Sequence, residues 1–255
     1  MKLELTPVPD FPLVVPGDDL AGFILSSCRK AAIEIQDGDI FVLAQKIVSK
    51  AEGRLFNLNV VTVSEQAVDL AQKTGKDARI VELVLRESRQ VLRYRTNVLI
   101  VEHKLGFVCA NAGIDHSNVQ GEDGNPEDWM LLLPEDPDGS ADRIRKKIEH
   151  ELGKQIGVMI IDSHGRAWRN GTLGTVIGLS GVPGLVDLRG KPDLFGFRLK
   201  ITQVAAGDEL AAGASLVMGQ ADEGTPVVHA RGFPYALREA SLKELIRPEQ
   251  EDMFR

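Results

Sequence analysis

The chain has 255 residues, 43% hydrophobic and 26% charged, which is enough apolar material for a sizeable soluble core. Its net charge of −7 disfavours a broad surface for nucleic acid or anionic lipid, but leaves room for a local basic pocket. Cys28 and Cys109 stand far apart, MKLELTPVPDF has no apolar leader, and no apolar run reaches membrane-spanning length. A disulfide framework, a zinc knuckle and a transmembrane helix are therefore not expected, and the reducing cytoplasm is the expected location.

Residues 2–6 alternate like a short strand, and Pro7, Pro9, Pro12 and Pro16 then hold the chain extended. Gly17-Asp18-Asp19 opens a predicted helix whose apolar face (Leu20, Ile24, Ala31) runs to about residue 34. After a turn at 37–39, the apolar run IFVLAQKIV predicts a strand over 40–48. That run leads into Gln45, Lys46, Ser49, Lys50, Glu52 and Arg54. Two readings stand for this polar group: a solvated strand end, or an anion pocket in which Lys50 meets a phosphate as a point charge. Two helices follow at 64–74 and 77–89, capped by Ser64 and Asp77, then strands at 91–94 and 98–102.

Gly106–Asn118, GFVCANAGIDHSN, is an apolar strand that breaks at Asn111-Ala112-Gly113 and then presents Asp115, His116, Ser117 and Asn118. An acidic loop over 120–129 and a short strand at 131–134 come next. Residues 136–140 are turn and cap chemistry for a helix with Ala141, Ile144, Ile148 and Leu152 inside and Gly153 at its end. The fully apolar Ile156–Ile161 predicts a central strand with Asp162-Ser163 at its end. Glycines at 171, 174, 178 and 181 mark a strand with close backbone approaches, of the kind that lines a ligand. A loop at 185–196, a strand at 199–204, a small-residue helix at 208–218, a polar turn at 219–226, a strand at 227–230 and an amphipathic helix at 241–252 complete the chain.

Asp115 and Asp162 thus occupy similar places, each after an apolar strand. Oxygen donors of this kind, with Ser163 beside them, suit magnesium or manganese better than zinc; the alternative is aspartates that merely cap turns. Cys109 has no neighbouring base and is expected to be a structural thiol. There is no nucleophile elbow, no Walker loop and no Rossmann fingerprint.

Six segments, PLVVPGDDL (12–20), QKIVSKAEGR (45–54), NAGIDHSNV (111–119), LLLPEDPDGSADRIRKKI (131–148), VMIIDSHGRAWRNG (158–171) and LVMGQADEGTP (216–226), together resemble the coenzyme F420:L-glutamate ligase family, from near residue 5 to near residue 250. The resemblance implies an unusual α+β fold with mixed sheets and packed helices. One ligase unit would span 1–255, with room for two interleaved subdomains. The C-terminal reductase domain of longer members is expected to be absent. The resemblance also implies a GTP-dependent ligase that adds L-glutamate to the deazaflavin precursor through an acyl phosphate, working as a homodimer.

Carried over by position, the family's metal ligands fall on Asp115, Asp162, Ser163 and Gln220, for Mg2+ or Mn2+, with K+ as a further implied ion. Gln220 puts an uncharged amide in that set. The GTP contacts fall on Phe11, Pro12, Leu13, Val14, Gln45, Lys46, Lys50 and Asn118, and on the run Met218, Gly219, Gln220, Ala221, Asp222, Glu223, Gly224 and Thr225. No catalytic acid or base is assigned. A metal-dependent phosphohydrolase on the same aspartates and a non-catalytic nucleotide or deazaflavin binder are the competing expectations.

Overall fold

The computed structural model describes residues 2–119, 121 and 125–253. Its centre is a five-stranded sheet in the order β1-β12-β2-β8-β9. These strands are β1 (Glu4–Pro7), β2 (Ile40–Ala44), β8 (Gly157–Arg166), β9 (Arg169–Ser180) and β12 (Val227–Arg231). Only β2 and β8 pair in parallel, Ile40 opposite Gly157 through Ala44 opposite Ile161. Strand geometry sends alternate side chains to opposite faces. Phe41, Leu43, Val158 and Ile160 therefore enter one core, with α1 (Leu20–Lys30), α2 (Gln45–Ala51) and α5 (Pro137–Leu152). Ile40, Val42, Met159 and Ile161 enter the other, under α6 (Ala206–Met218). Burial on both faces is why these strands are continuously apolar.

Between α2 and α5 the chain builds a second lobe. Here β3 (Leu55–Asn57) pairs with β7 (Trp129–Leu131). Helices α3 (Glu65–Thr74) and α4 (Ala78–Arg86) pack Leu70, Val81 and Val84 against a sheet of β4 (Ser88–Arg95), β5 (Val98–His103) and β6 (Val108–Ala110). The predicted caps hold: Ser64 Oγ accepts from Ala67 N at 3.3 Å, and Asp77 Oδ1 from Arg79 N at 2.8 Å. A short ribbon of β10 (Val186–Asp187) and β11 (Gln203–Val204) flanks a long arm.

Arg54 braces the lobes. Its guanidinium donates to Leu133 O at 2.9 Å, Glu135 at 2.6 Å and Glu87 at 2.8 Å. Glu87 closes α4, and 133–135 leads into α5, so one buried fork ties the second lobe to the first.

Several boundaries differ from the sequence reading. The run 40–48 is two elements: β2 stops at Ala44, and Ile47, Val48 and Ala51 face the core at helical spacing on α2. An apolar strand and an apolar helix face separated by only Gln45 and Lys46 read as one run when only hydropathy is followed. The first helix ends at Lys30, before Ala32 at φ 53°. The strand predicted at 131–134 lies at Trp129–Leu131. Strand β8 does not end at Ile161 but carries Asp162 and Ser163 within it, on to Arg166. The strand predicted at 199–204 shrinks to Gln203–Val204. The tail makes only the 3-10 turns Leu242–Glu244 and Glu249–Glu251, and Pro248, lacking an N–H, breaks any helix between them.

A buried charge cluster sits where the chain enters β2, at Asp39 beside β12. Asp39 is 1% exposed; Arg231 donates to its two oxygens at 2.8 and 2.6 Å, and His229 Nε2 lies 2.7 Å away. Burial alone would raise this carboxyl, but the hydrogen bonds from Arg231, His229 and Gln36 N outweigh it and hold the group below its ordinary range. The unfolded chain therefore takes up the extra proton, so this stabilisation is complete above about pH 4 and is lost as the pH falls toward the folded value. Asp39→Asn is expected to cost ~3 kcal/mol at pH 7, the low end for a broken buried pair because the Arg231 side chain is 38% exposed. Urea unfolding of both proteins should show the gap narrowing from pH 7 to pH 3; a constant gap would remove Asp39 as its source.

Candidate active site

Because β2 and β8 run parallel, Ala44 and Ile161 arrive side by side, and polar residues follow both. Gln45-Lys46 opens α2, and Asp162-Ser163 continues β8. Strand β12 pairs Val227 with Leu43, which brings the preceding turn in beside them. These pieces, with the extended segment Phe11–Val14, line a cleft of about 640 Å³. Of the residues singled out in the sequence, Phe11, Pro12, Leu13, Val14, Gln45, Lys46, Lys50, Asn118, Asp162, Ser163 and Met218–Thr225 all line it. Asp115 stands just behind the lining and is held to it by two of these residues.

Gln45 Nε2 donates to Asp115 Oδ2 at 2.7 Å, and Lys46 Nζ lies 3.0 Å from the same oxygen. Gln45 is 1% exposed, and its own carbonyl oxygen accepts from Ser49 Oγ at 2.9 Å. The acceptor-only carboxylate of Asp115 selects the N–H end of the amide, and Ser49 satisfies the other end. Burial raises the Asp115 carboxyl above its usual range; Lys46 opposes this, and the charge of Asp162 adds to it. Asp162 Oδ2 lies 3.0 Å from His164 Nε2. Ser163 Oγ donates to Gln220 Oε1 at 2.7 Å, and Gln220 Nε2 donates to Ser215 Oγ at 3.0 Å.

The turn after α6 closes the opposite wall. Gly219 sits at φ 76°, ψ −178°, backbone that only glycine adopts without strain, and an added Cβ would strike the Glu223 carboxylate. Glu223 accepts from Ala221 N at 2.8 Å, and the backbone N–H groups of Ala221, Glu223 and Gln220 hold its carboxyl below the usual range. A ring of N–H groups of this kind receives anions. Asn118, at φ 57°, donates to Ala221 O at 3.1 Å and so ties this turn to the Asp115 loop. Lys50 is half-buried, and its ammonium has no hydrogen bond or ion pair among the described residues. Burial, then Lys46, pushes its ammonium pKa down.

Some residues fall away from the site. The Cys109 thiol is buried and pushed up to about 12, first by burial and then by Asp162, which makes it inert. His116 lines a separate cavity of about 430 Å³ with Lys76 and Arg79. Ser49, Ser215 and His164 were given no role from sequence. Two of them lie at a periodic offset from a residue that was, Ser49 one helical turn from Gln45 and His164 two strand positions from Asp162, while Ser215 has no such offset from Gln220.

The sequence profile of the F420-0:gamma-glutamyl ligases matches residues 10–232. The chain belongs to that family. It is 44% identical over the full length of both chains to the coenzyme F420:L-glutamate ligase of Methanothermobacter thermautotrophicus. It is 45% identical to that of Methanopyrus kandleri, covering 99% of this chain and 98% of the relative. It is 44% identical to that of Archaeoglobus fulgidus, covering 100% and 97%. The family makes this chain an amide-forming ligase.

The donor set fits a hard divalent cation. Asp115, Asp162, Ser163 and Gln220 all offer oxygen. No group of three or more histidine, cysteine or acidic side chains poised for a metal occurs among the described residues. Two carboxylates with neutral oxygens suit a cation that keeps water and completes its shell with phosphates, as magnesium does. Asp115→Asn keeps an acceptor for Gln45 and Lys46 while removing a charge that burial disfavours. Its thermal midpoint should stay level or rise, while ligase turnover drops by about a hundredfold or more. Equal losses of both would make Asp115 a structural residue.

Proposed function

We propose that this ligase uses GTP to join L-glutamate to the F420-0 precursor through an acyl phosphate, with magnesium or manganese held by Asp115, Asp162, Ser163 and Gln220. The observation that carries the reading is the pairing, in one cleft, of oxygen donors with an unpartnered, half-buried Lys50. A cleft that held only a carboxylate substrate would not need both.

A carboxylate is a poor acyl donor. In the proposed reaction an oxygen of the precursor's carboxylate attacks the γ-phosphorus of GTP, the bond to the β–γ bridging oxygen breaks, and GDP leaves. The glutamate amine then attacks the acyl carbon, phosphate departs with the electrons of the C–O bond, and the amine gives up a proton. The bound cation would draw charge from the phosphate oxygens. Lys50 holds the transferred group as a point charge, and backbone N–H groups of 220–223 receive a phosphate oxygen. Phe11–Val14 lies along the cleft, where it limits water at the acyl phosphate. Catalysis here is positioning and charge stabilisation.

Precursor labelled with 18O in its carboxylate tests the route. One label should appear in the released phosphate, only with GTP and a divalent cation present, alongside the glutamyl adduct by mass spectrometry. Adduct without label transfer excludes the acyl phosphate. GTP loss without glutamate points to the phosphohydrolase.

We also propose that the active form is a homodimer. The arm between β10 and β11 exposes Leu194 (97%), Phe195 (95%) and Ile201 (87%), more apolar surface on one strap than a monomer usually shows. A second copy is the occupant that a homo-oligomeric ligase supplies. Wild-type protein should scatter light as a dimer and Phe195→Asp with Leu194→Asp as a monomer. A monomeric wild type refutes the assembly.

A further inference from the structure

The β8–β9 hairpin runs past the site into solvent, and the residues of its tip, 165–170, are all exposed. Ala167 and Trp168 make its two-residue turn. Trp168 is 90% exposed and sits at φ 67°, a conformation that asparagine or glycine takes in such turns and that strains a bulky side chain. A large aromatic ring is thus held in water at a backbone cost. Arg166 and Arg169 are directly opposite each other across the two strands. Like charges so placed repel. Both are exposed, and neither has a carboxylate partner among the described residues; Arg166 donates only to Gly171 O, at 3.2 Å.

The pleat places these groups relative to the chemistry. Register is broken between Gly165 and Arg166 by extra residues on β9, so β8 itself alternates undisturbed. Asp162, His164 and Arg166 therefore share one face of β8, with Arg169 beside Arg166. From Asp162 to Arg166 the strand advances roughly 13 Å, and the turn adds a few more. One ribbon thus carries, in a line, a site carboxylate, two unpaired guanidiniums and an exposed indole.

We infer that this hairpin tip is the docking site for the far end of the acceptor substrate. The acceptor class is a flat heteroaromatic ring linked through a phosphodiester to the reacting carboxylate. Trp168 stacks on the ring, Arg166 and Arg169 bind the phosphodiester, and the carboxylate end reaches Asp162 and Ser163. The deazaflavin precursor of the proposed reaction has this order of groups. The inference rests on that proposed reaction for the identity of the acceptor, and on charge and shape for the place. In a chain of net charge −7, two adjacent arginines without acids select an anion. The exposed indole selects a π-face.

The chain has two tryptophans, so a Trp129→Phe protein reports on Trp168 alone. Added F420-0 should quench its emission saturably, and GTP or L-glutamate should not. Arg166→Ala with Arg169→Ala should raise KM for F420-0 about tenfold or more, the scale of a charge-assisted hydrogen bond, and leave KM for GTP and glutamate unchanged. Trp168→Gly should raise the F420-0 KM while the thermal midpoint holds or rises, because the turn is relieved of strain; Trp168→Phe should restore most of the affinity. Unquenched Trp168 in protein that still glutamylates F420-0 overturns the inference. So do variants that lose the dimer mass with the F420-0 KM unmoved, which would assign the tip to a second copy. If F420-0 quenches Trp168 but wild-type protein forms no adduct, the docking site stands and the proposed reaction fails.

Discussion

The arrangement depends on one electrostatic problem: two carboxylates, Asp115 and Asp162, are brought close enough for one to raise the pKa of the other in a partly buried place. Unpaired, such a pair would favour neutralisation or opening of the loop. Lys46 answers with charge and Gln45 with a directed amide. The acceptor-only carboxylate selects the N–H end of that amide, since the reversed amide would set an oxygen against it, and Ser49 Oγ donates to the amide oxygen left on the far side. A glutamate at position 45 would add a third negative group. Strand end, helix start and loop are thus bound to one another through a single carboxylate.

Rigidity comes from the sheet and reach from what leaves it. Strands β2 and β8 are covered on both faces, so their ends are fixed points. The loops between those points are closed by specific ties, Asn118 to Ala221 and Thr225 to Met218 O, rather than by packing. Part of the unusual backbone falls in these places, although Asp10, Ala32 and Asn97 show it elsewhere. Asn111, Ala112 and Gly113 have positive φ in succession, and Asn118, Gly219 and Trp168 add to them. Strain of this kind persists only where surrounding structure fixes it, and here it lies along the Asp115 loop, the cleft wall and the hairpin tip.

The elements that could be read from sequence are those set by local chemistry. Ser64, Asp77 and Gly153 mark helix ends because a cap is decided within a few residues. The strand-to-helix switch at Ala44 was not legible, since the two polar residues Gln45 and Lys46 are too short a break to separate the apolar strand from the apolar Ile47 and Val48 that follow. The extension of β8 through Asp162 was hidden by its polar content, because an exposed hairpin looks like a loop. The site is the extreme case. Asp115, Asp162 and Gln220 belong to three distant segments, and no period connects them. Their grouping followed from resemblance to a family, while the partners that orient them, Ser49, Ser215 and His164, needed coordinates.

Those partners, with Lys46 and Glu223, set what a ligand would have to displace. A carboxylate in need of a cation has Lys46, and a ring of backbone N–H groups in need of an anion has Glu223. Ser163 and Gln220 satisfy each other and Ser215. Each polar group that would bind a substrate or ion thus already has a partner of the right sign within the chain, so its desolvation is offset before any ligand arrives. Lys50 is the exception, and burial has weakened its hold on its own proton rather than supplying a partner. Substrate binding then becomes an exchange of partners at most positions and a net gain of one at Lys50. A site built this way can be both stable alone and selective for a ligand that carries negative charge to that lysine.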